Sequence, residues 1–431
     1  MKTQEPFESS CYRSLQKLDL DAIAQKCGWL RRLGSKLDAS AWCHAFIAAS
    51  AIPTASLRTV AFYVGLLLEA TVSKQAMHKR LHNKGIAFLE AILGAAMLNK
   101  SRGSDEGFSC LGFKRILLQD STSMKLPLRM RDTYKGPGNS NGKSSSLKVQ
   151  AVFNLLEGVF DSFKIGAYVD TDMASAKETV ALVEPKDLLC WDLGYFNLSA
   201  FRDIIARGAD ILTRAKSGVI MSDPESRERI DLLALLESDV NVDTQVLVGG
   251  KQKLPMRLVA FKLPRKVAQE RRRKAKATAK RKGQNLKKIT LKLLDWQIYL
   301  TSCSPEQLPA AKVKELYAQR WSIEILFKAF KSHMRLADIP PHSSVEMVQC
   351  LVYAALVRIT LCHTAILPWA RATCGRTRVS ILKFTSLLEA LGSMLPDFQF
   401  NQEVLEANVL KHCLYDKRKR TNLFERLESL G

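Results

Sequence analysis

Apolar positions recur at helical spacing through the first hundred residues, in Phe46–Ile52, Val60–Leu68 and Ile86–Met97, and predict a helical region over 1–105. Within it one helix ends near Leu68–Ala70, and Ser73 can N-cap a second helix beginning at Lys74. That helix would turn Ala76, Met77 and Leu81 inward and Lys74, Gln75, His78 and Lys79 outward. Two helices, a short turn and a polar, basic second helix fit a helix-turn-helix. An ordinary helical hairpin with a solvated basic face has the same pattern and is the plainer reading of this segment alone.

From about Phe113 the spacing shortens. Phe113–Gln119 reads as a buried strand ending just before Asp120. Leu147, Val149, Ala151 and Phe153 alternate with largely polar neighbours, and Glu157-Gly158 precedes Val159–Val169, which predicts an antiparallel hairpin. Leu188–Trp191 is a short strand ending at Asp192. Asn197 or Ser199 can cap a helix carrying Leu198, Phe201, Ile204 and Ile205 that stops at Gly208, and Ile211–Thr213 returns to strand. Strands followed by alternating strand and helix describe an α/β domain with a mixed sheet. The stretch from about 217 to 295 is irregular and rich in turn residues. Trp296–Thr301 resumes as a strand, one long helix runs from Pro305 or Pro309 to near Met334, and a helical C-terminal region covers 341–431. The division is therefore 1–105, 106–340 and 341–431.

Composition narrows the function. At 47% hydrophobic and 25% charged the 431 residues form an ordinary globular chain, which excludes wholesale disorder. The excess of 65 Lys and Arg over 42 Asp and Glu, a net +23, calls for a polyanionic partner, nucleic acid or an anionic membrane face. The most apolar helical run, Met347–Val357, lies between Glu346 and Arg358, too short an uncharged stretch to span a bilayer. The amino terminus has no apolar signal core. No two of the ten cysteines form a CxxC pair, so they read as reduced, buried thiols, and a cytoplasmic protein is expected. Between Arg265 and Lys292 thirteen Lys or Arg face one acid, Glu270, about half of the whole surplus in one segment. That block reads either as a solvated, disordered loop or as a surface that contacts DNA, ordering on binding.

The candidate chemistry lies in the predicted long helix. Tyr317, Arg320, Glu324 and Lys331 fall within one stripe about 60° wide if the helix is continuous at 100° per residue. Trp321 reads as a packing residue. An (i, i+4) surface pair would explain Arg320 and Glu324 alone. Asp120 and Asp192, each just past a strand end, supply two further carboxylates. Two like charges 4 Å apart repel by roughly 4 kcal/mol at an effective dielectric of 20, so three acids brought together need neutralising. Divalent metals do this, and all-oxygen ligands select Mg²⁺, with Mn²⁺ able to substitute. Two such ions suit in-line displacement at a phosphodiester. The segment Gly136–Ser144 only superficially follows a phosphate-binding loop, since Pro137 stands where that motif needs glycine. The histidines form no HExxH pair.

Asp120-Ser121-Thr122, Asp192-x-Gly194-Tyr195 and Tyr317-x2-Arg320-x3-Glu324-x6-Lys331 together resemble the three catalytic motifs of bacterial insertion-sequence DDE transposases, in the branch with the Tyr-Arg-Glu-Lys signature. The resemblance runs from about Phe113 to Lys331. It implies an RNase H-like catalytic domain with a β-rich insertion at about 217–295, preceded by a helical DNA-binding domain and followed by a helical C-terminal region for dimerisation. It implies Asp120, Asp192 and Glu324 as metal ligands, and Tyr317, Arg320 and Lys331 as groups gripping phosphates at the transposon end. Trp296, 21 residues before Tyr317, stands where the family stacks a flipped base, although a core tryptophan on a strand fits equally. Leu193 departs from the polar or basic residue usual there. The expected partners are terminal inverted repeats and target DNA, bound by a homodimer, with no membrane. Lys74, Gln75, Arg271, Arg272, Arg273 and Lys274 are the further expected DNA contacts. The alternatives are an inactive relative acting as a sequence-specific repressor, and a structure-specific nuclease on the same fold.

Overall fold

A computed structural model describes residues 17–30, 38–98, 110–138, 142–239, 241–366 and 402–414, with 15, 379–380, 383–384 and 387. Cys11, Cys374 and most of the expected C-terminal helical region lie outside the described residues. The chain folds as two compact units. One comprises Met1–Gly107, Ser121–Asp170 and Trp321–Arg426, the other Phe108–Asp120, Thr171–Arg320 and Leu427–Gly431. The division falls between Asp120 and Ser121 and again between Arg320 and Trp321.

The helices α1 (Leu20–Lys26), α2 (Ala39–Ala49), α3 (Leu57–Leu67), α4 (Lys74–Arg80) and α5 (Asn83–Leu98) come first. Strands β1 (Arg115–Leu126), β2 (Ser145–Asn154) and β3 (Val159–Ala167) follow, then α6 (Asp172–Val180), β4 (Asp187–Trp191), α7 (Leu198–Ala206), β5 (Asp210–Arg214) and β6 (Met221–Ser222). Next are α8 (Leu232–Glu237), β7 (Asn241–Val248), β8 (Leu254–Lys262), α9 (Arg265–Arg281), α10 (Lys288–Leu293) and β9 (Trp296–Thr301). Helices α11 (Ala310–Ala318), α12 (Trp321–Ser332), α13 (Val345–Leu361) and α14 (Gln402–His412) end the series. The nine strands form one mixed sheet in the order β3-β2-β1-β4-β5-β9-β8-β7-β6. Strand β4 runs parallel to β1 and to β5. β2–β3 and the run β5-β9-β8-β7-β6 are antiparallel.

In the unit with α13, the core is helical and aromatic. Trp42 lies 5.0 Å from Trp29, 4.5 Å from Phe46 and 5.9 Å from Phe88 between ring centroids. Fourteen of the 17 residues of α13 are buried. The stretch Val345–Thr364 is long and apolar enough to cross a membrane, which corrects the expectation that this run is too short, yet 83% of its most apolar window is buried inside the protein. Arg358 is the buried charge on that helix. It donates to the Ser50 hydroxyl at 3.3 Å and the Met334 carbonyl at 2.6 Å, so the cation is spent on backbone and side-chain oxygens at the ends of α2 and α12. Tyr353 donates to Glu90 on α5 at 2.9 Å. The turn between α3 and α4 forms as expected. Ser73 caps α4 by accepting from the Ala76 N–H, Met77 is buried, and Lys74, Gln75, His78 and Lys79 are exposed. A Cβ on Gly65 would stand 2.7 Å from the Ala70 carbonyl, so this turn closes only with glycine there.

In the other unit, the sheet is pinned by two arginines, Arg115 half-buried and Arg257 buried. Arg115 on β1 binds Asp187 on β4 at 2.9 and 2.5 Å, with that carboxylate fully buried. Arg257 on β8 grips Asp243 with two bonds of 2.6 Å and donates to the Leu308 carbonyl at 2.7 Å, tying the sheet to the segment before α11. Asn197 caps α7 through the N–H groups of Ser199 and Ala200, as its spacing predicts.

Three expectations are corrected. β1 does not end at Gln119 but runs to Leu126, because Thr122, Met124 and Leu126 continue the buried alternation. The segment 217–295 is ordered, with β6, the β7–β8 hairpin and three helices. Its basic block is not a loop. Alanines and long unbranched cations are good helix formers, and α9 forms over 17 residues with Ala268 and Ala279 buried as its seat. The long helix through Tyr317–Lys331 is broken after Ala318, where the N–H groups of Gln319 and Arg320 bond three residues back to Leu316 and Tyr317 before α12 begins.

Candidate active site

Register brings the two aspartates together. The last paired positions of β1 and β4 are Leu118 and Cys190; Asp120 stands two residues further on β1, and Asp192 two residues further along the chain, just past the end of β4. Neighbouring strands lie about 4.8 Å apart, and equal offsets keep both side chains on one face. Asp192 has the extended backbone of a strand residue, φ −80° and ψ 169°, before the short turn Leu193–Tyr195. A Cβ at Gly194 would stand 3.2 Å from the Asp172 carboxylate, which would have to shift by a few tenths of an ångström to admit it.

The same row continues across the sheet. Trp191 pairs with Thr213, so Asp192 is followed on β5 by Arg214, which pairs in turn with Tyr299 on β9. Arg214 escaped the reading of the sequence, because its place is set by strand register and no linear spacing signals it. Arg320, itself 8% exposed, approaches Asp120 at 3.4 Å. Tyr317 is 7% exposed and donates to the Trp191 carbonyl at 3.4 Å, packing its ring 5.2 Å from Tyr299. Burial pushes the Tyr317 phenol well above its ordinary range, with Arg320 and Arg214 opposing the shift and Asp192 adding to it. Asp120 is therefore faced by the Arg320 cation, while Tyr317 buttresses the strand end just before Asp192.

Glu324 and Lys331 lie on α12, in the other unit. They are seven residues apart and still share a face of that helix. The break after Ala318 removes the single stripe that a continuous helix would have given all four signature residues. Lys331 donates to the Ser123 carbonyl at 2.9 Å, and burial lowers the pKa of its ammonium. Trp321 does not pack: at 62% it is among the most exposed large side chains, because it opens α12 directly after the break. Trp296 is 4% exposed on β9, with Lys262 over its ring at 5.6 Å and Arg271 donating to its carbonyl at 2.9 Å. Its indole presents no open face here.

Among the described residues no three His, Cys, Asp or Glu side chains gather closely enough to hold a metal ion. The in-register pair Asp120–Asp192 offers an all-oxygen donor set of the kind hard divalent cations take. Around it Arg320 marks a position where carboxylate charge is compensated.

A mixed sheet bearing paired acids beside phosphate-seeking cations suits an enzyme acting on phosphodiesters. The family model described as Transposase DDE domain matches residues 111–358, more than half of the chain. The chain is 26% identical over 317 residues to the transposase for insertion sequence element IS231E of Bacillus thuringiensis subsp. finitimus, covering 68% of this chain and just under two thirds, 66%, of that one. It is 25% identical over 428 residues to the transposase for IS1151 of Clostridium perfringens, covering 92% and 88%. It is 26% identical over 361 residues to the transposase for IS421 of Escherichia coli, covering 81% and 91%. A solved piggyBac transposase synaptic complex with hairpin DNA aligns at a TM-score of 0.49 and 10% identity, over 98% of this chain and 88% of that one. The chain belongs to the DDE transposase family, enzymes that cleave and transfer DNA strands.

Proposed function

We propose that this transposase cuts and rejoins DNA at the ends of its own insertion sequence, with Asp120, Asp192 and Glu324 supplying the carboxylates that hold Mg²⁺ (Mn²⁺ can substitute). The observation that carries the reading is the parallel register of β1 and β4, which ends two residues before Asp120 and Asp192, together with Arg320 at 3.4 Å from Asp120. Bound divalent ions supply a polarised attacking oxygen and a stabilised leaving oxygen for in-line displacement. The protein's own part is orientation. Arg320 holds the Asp120 carboxylate and offsets its charge. Tyr317 fixes the carbonyl before Asp192, and Lys331 fixes that of Ser123 beyond Asp120. With DNA bound, Arg320, Lys331 and Arg214 can also meet phosphate oxygens. The strand order β3-β2-β1-β4-β5, with β1, β4 and β5 parallel, supports an RNase H-like catalytic domain, and the elements between β5 and β9 stand where the β-rich insertion belongs. The four residues Tyr317, Arg320, Glu324 and Lys331 at their spacing support the Tyr-Arg-Glu-Lys branch.

The helices of 1–105 recognise the terminal inverted repeats, with Lys74 and Gln75 exposed on α4 for that purpose. Residues 341–431 serve dimerisation, since joining two ends needs two active sites. The protein works in the bacterial cytoplasm, on the nucleoid. Trp296 is a stacking platform only in a DNA-bound state that uncovers its ring. The test is cleavage of end-containing duplex in Mg²⁺ by wild type, Asp120→Ala and Glu324→Ala. Equal cleavage by all three would sink the assignment. Binding without metal-dependent nicking by wild type would indicate a repressor, and cutting without strand joining a nuclease.

A further inference from the structure

The basic helix α9 sorts its charges by face. Ala268 and Ala279 are buried. Arg271 donates to the Trp296 carbonyl, and Arg272 pairs with Asp295. These two arginines, expected from the sequence to touch DNA, are engaged by the protein itself. At 100° per residue, Lys266, Arg273, Lys274, Lys280 and Arg281 fall in an arc about 120° wide on the opposite face. All five are exposed, with side-chain values of 76% for Arg273 and 74% for Lys274. At 1.5 Å per residue the row extends about 22 Å. Its single acid, Glu270, holds Arg273 at 2.9 Å and Lys274 at 3.5 Å, and these cations lower its pKa. Such exposed pairs are weak and exchange readily for another anion.

We propose that the outer face of α9 is a rail for the backbone of duplex DNA that binds without regard to sequence, separate from recognition of the element's ends. The proposal deepens the DNA-acting reading above and rests on it. Duplex DNA carries a charge about every 1.7 Å of axis, so a 22 Å row meets more phosphates than it has cations, and the cations set the number of contacts. Besides these five cations the arc holds only Glu270 and Ala277, so what it offers a duplex is positive charge for the phosphates. Neutral alanines on the inner face seat the helix and leave the cationic arc turned to solvent.

The experiment measures affinity of the full chain for a random-sequence duplex and for an end-containing duplex by fluorescence anisotropy, in EDTA, from 50 to 200 mM salt. The fivefold variant Lys266→Ala, Arg273→Ala, Lys274→Ala, Lys280→Ala, Arg281→Ala is compared with wild type. Each lost contact lowers the slope of log affinity against log salt by about 0.9. Three to five contacts therefore shrink the wild-type advantage by roughly 40- to 500-fold across that salt range, on both duplexes. Glu270→Gln tightens binding, an opposite change that misfolding cannot mimic. An unaltered slope for the fivefold variant, a slope change confined to the end-containing duplex, or weaker binding by Glu270→Gln overturns the proposal. No cleavage is read, so failure of the catalytic assignment and failure of the rail are separately visible.

Discussion

The row Asp120–Asp192–Arg214 and the helix α9 are both charged, and they use charge in opposite ways. In the row, Asp120 and Arg214 sit on strands and Asp192 one residue past the end of β4, and all three are half-buried. On α9 the outward cations stand in water on flexible stems, with only exposed contacts to Glu270 and Thr278 within the helix. A charge held in partly dry surroundings at a defined distance acts at a point. A charge in water acts through its field, and its identity matters less than its sign. The two regions should therefore answer differently to conservative substitution.

The largest contrast is catalytic. Asp192→Asn keeps the size of the side chain and removes one negative charge. If Asp192 holds metal as proposed, losing its charge should reduce strand cleavage on the order of 10³-fold, since several kcal/mol of transition-state stabilisation goes with it. Binding to random duplex should hold or rise slightly. A single-turnover nicking assay beside an anisotropy titration checks both, and cleavage within tenfold of wild type would erase the distinction.

A second acid on the same strand pair sharpens the point at nearly the same size. Asp187 lies at the opposite end of β4 from Asp192, fully buried and paired with Arg115. Removing one partner of such a pair leaves an uncompensated charge and costs roughly 3–5 kcal/mol. Asp187→Ala should thus lower the denaturant midpoint sharply, whereas Asp192→Asn should scarcely move it.

Much of this was legible from the chain. Ser73 and Asn197 cap helices as their spacing indicates, because capping is decided by a few neighbouring residues. The acids Asp120 and Asp192 were identifiable by motif. Strand ends were less so. Thr122 and Met124 continue β1 through alternation that a polar-looking stretch disguises. The break between α11 and α12 was invisible, since no proline or glycine marks Gln319-Arg320. Arg214 could not be found at all without register. On α9, sequence indicated the charge but not its sorting, so Arg271 and Arg272 were grouped with Arg273 and Lys274. Only packing separates the first pair from the second.

Alkaline titration probes the dry side of the comparison. Burial raises the Tyr299 phenol from 10.0 to about 12, and the thiols of Cys43 and Cys303 from 9.0 to about 12. A group whose folded pKa is raised contributes stability below its unfolded value and loses it as pH climbs toward the folded value. Stability should be level near neutrality and fall from about pH 9 to 12, by on the order of 2 kcal/mol or more. Denaturant midpoints across that range test this, and the exposed cations of α9 should contribute little to the change. A flat profile to pH 12 would mean these groups are far wetter than the fold indicates.

The finest test lies within α9 itself, between neighbours three residues apart. Arg271 is half-buried and donates to the Trp296 carbonyl, so Arg271→Lys loses the planar donor that reaches over β9. After allowance for its exposure this should cost about 1 kcal/mol of stability and shift Trp296 fluorescence, with the salt slope for DNA unchanged. Lys274→Arg should alter stability by less than about 0.5 kcal/mol, as surface substitutions generally do, and leave the slope unchanged because a phosphate contact needs only the positive charge. Lys274→Ala should lower that slope by about 0.9. If Arg271→Lys changed the salt slope while Lys274→Ala did not, the inward and outward faces of the helix would have to be exchanged in function, whatever their burial.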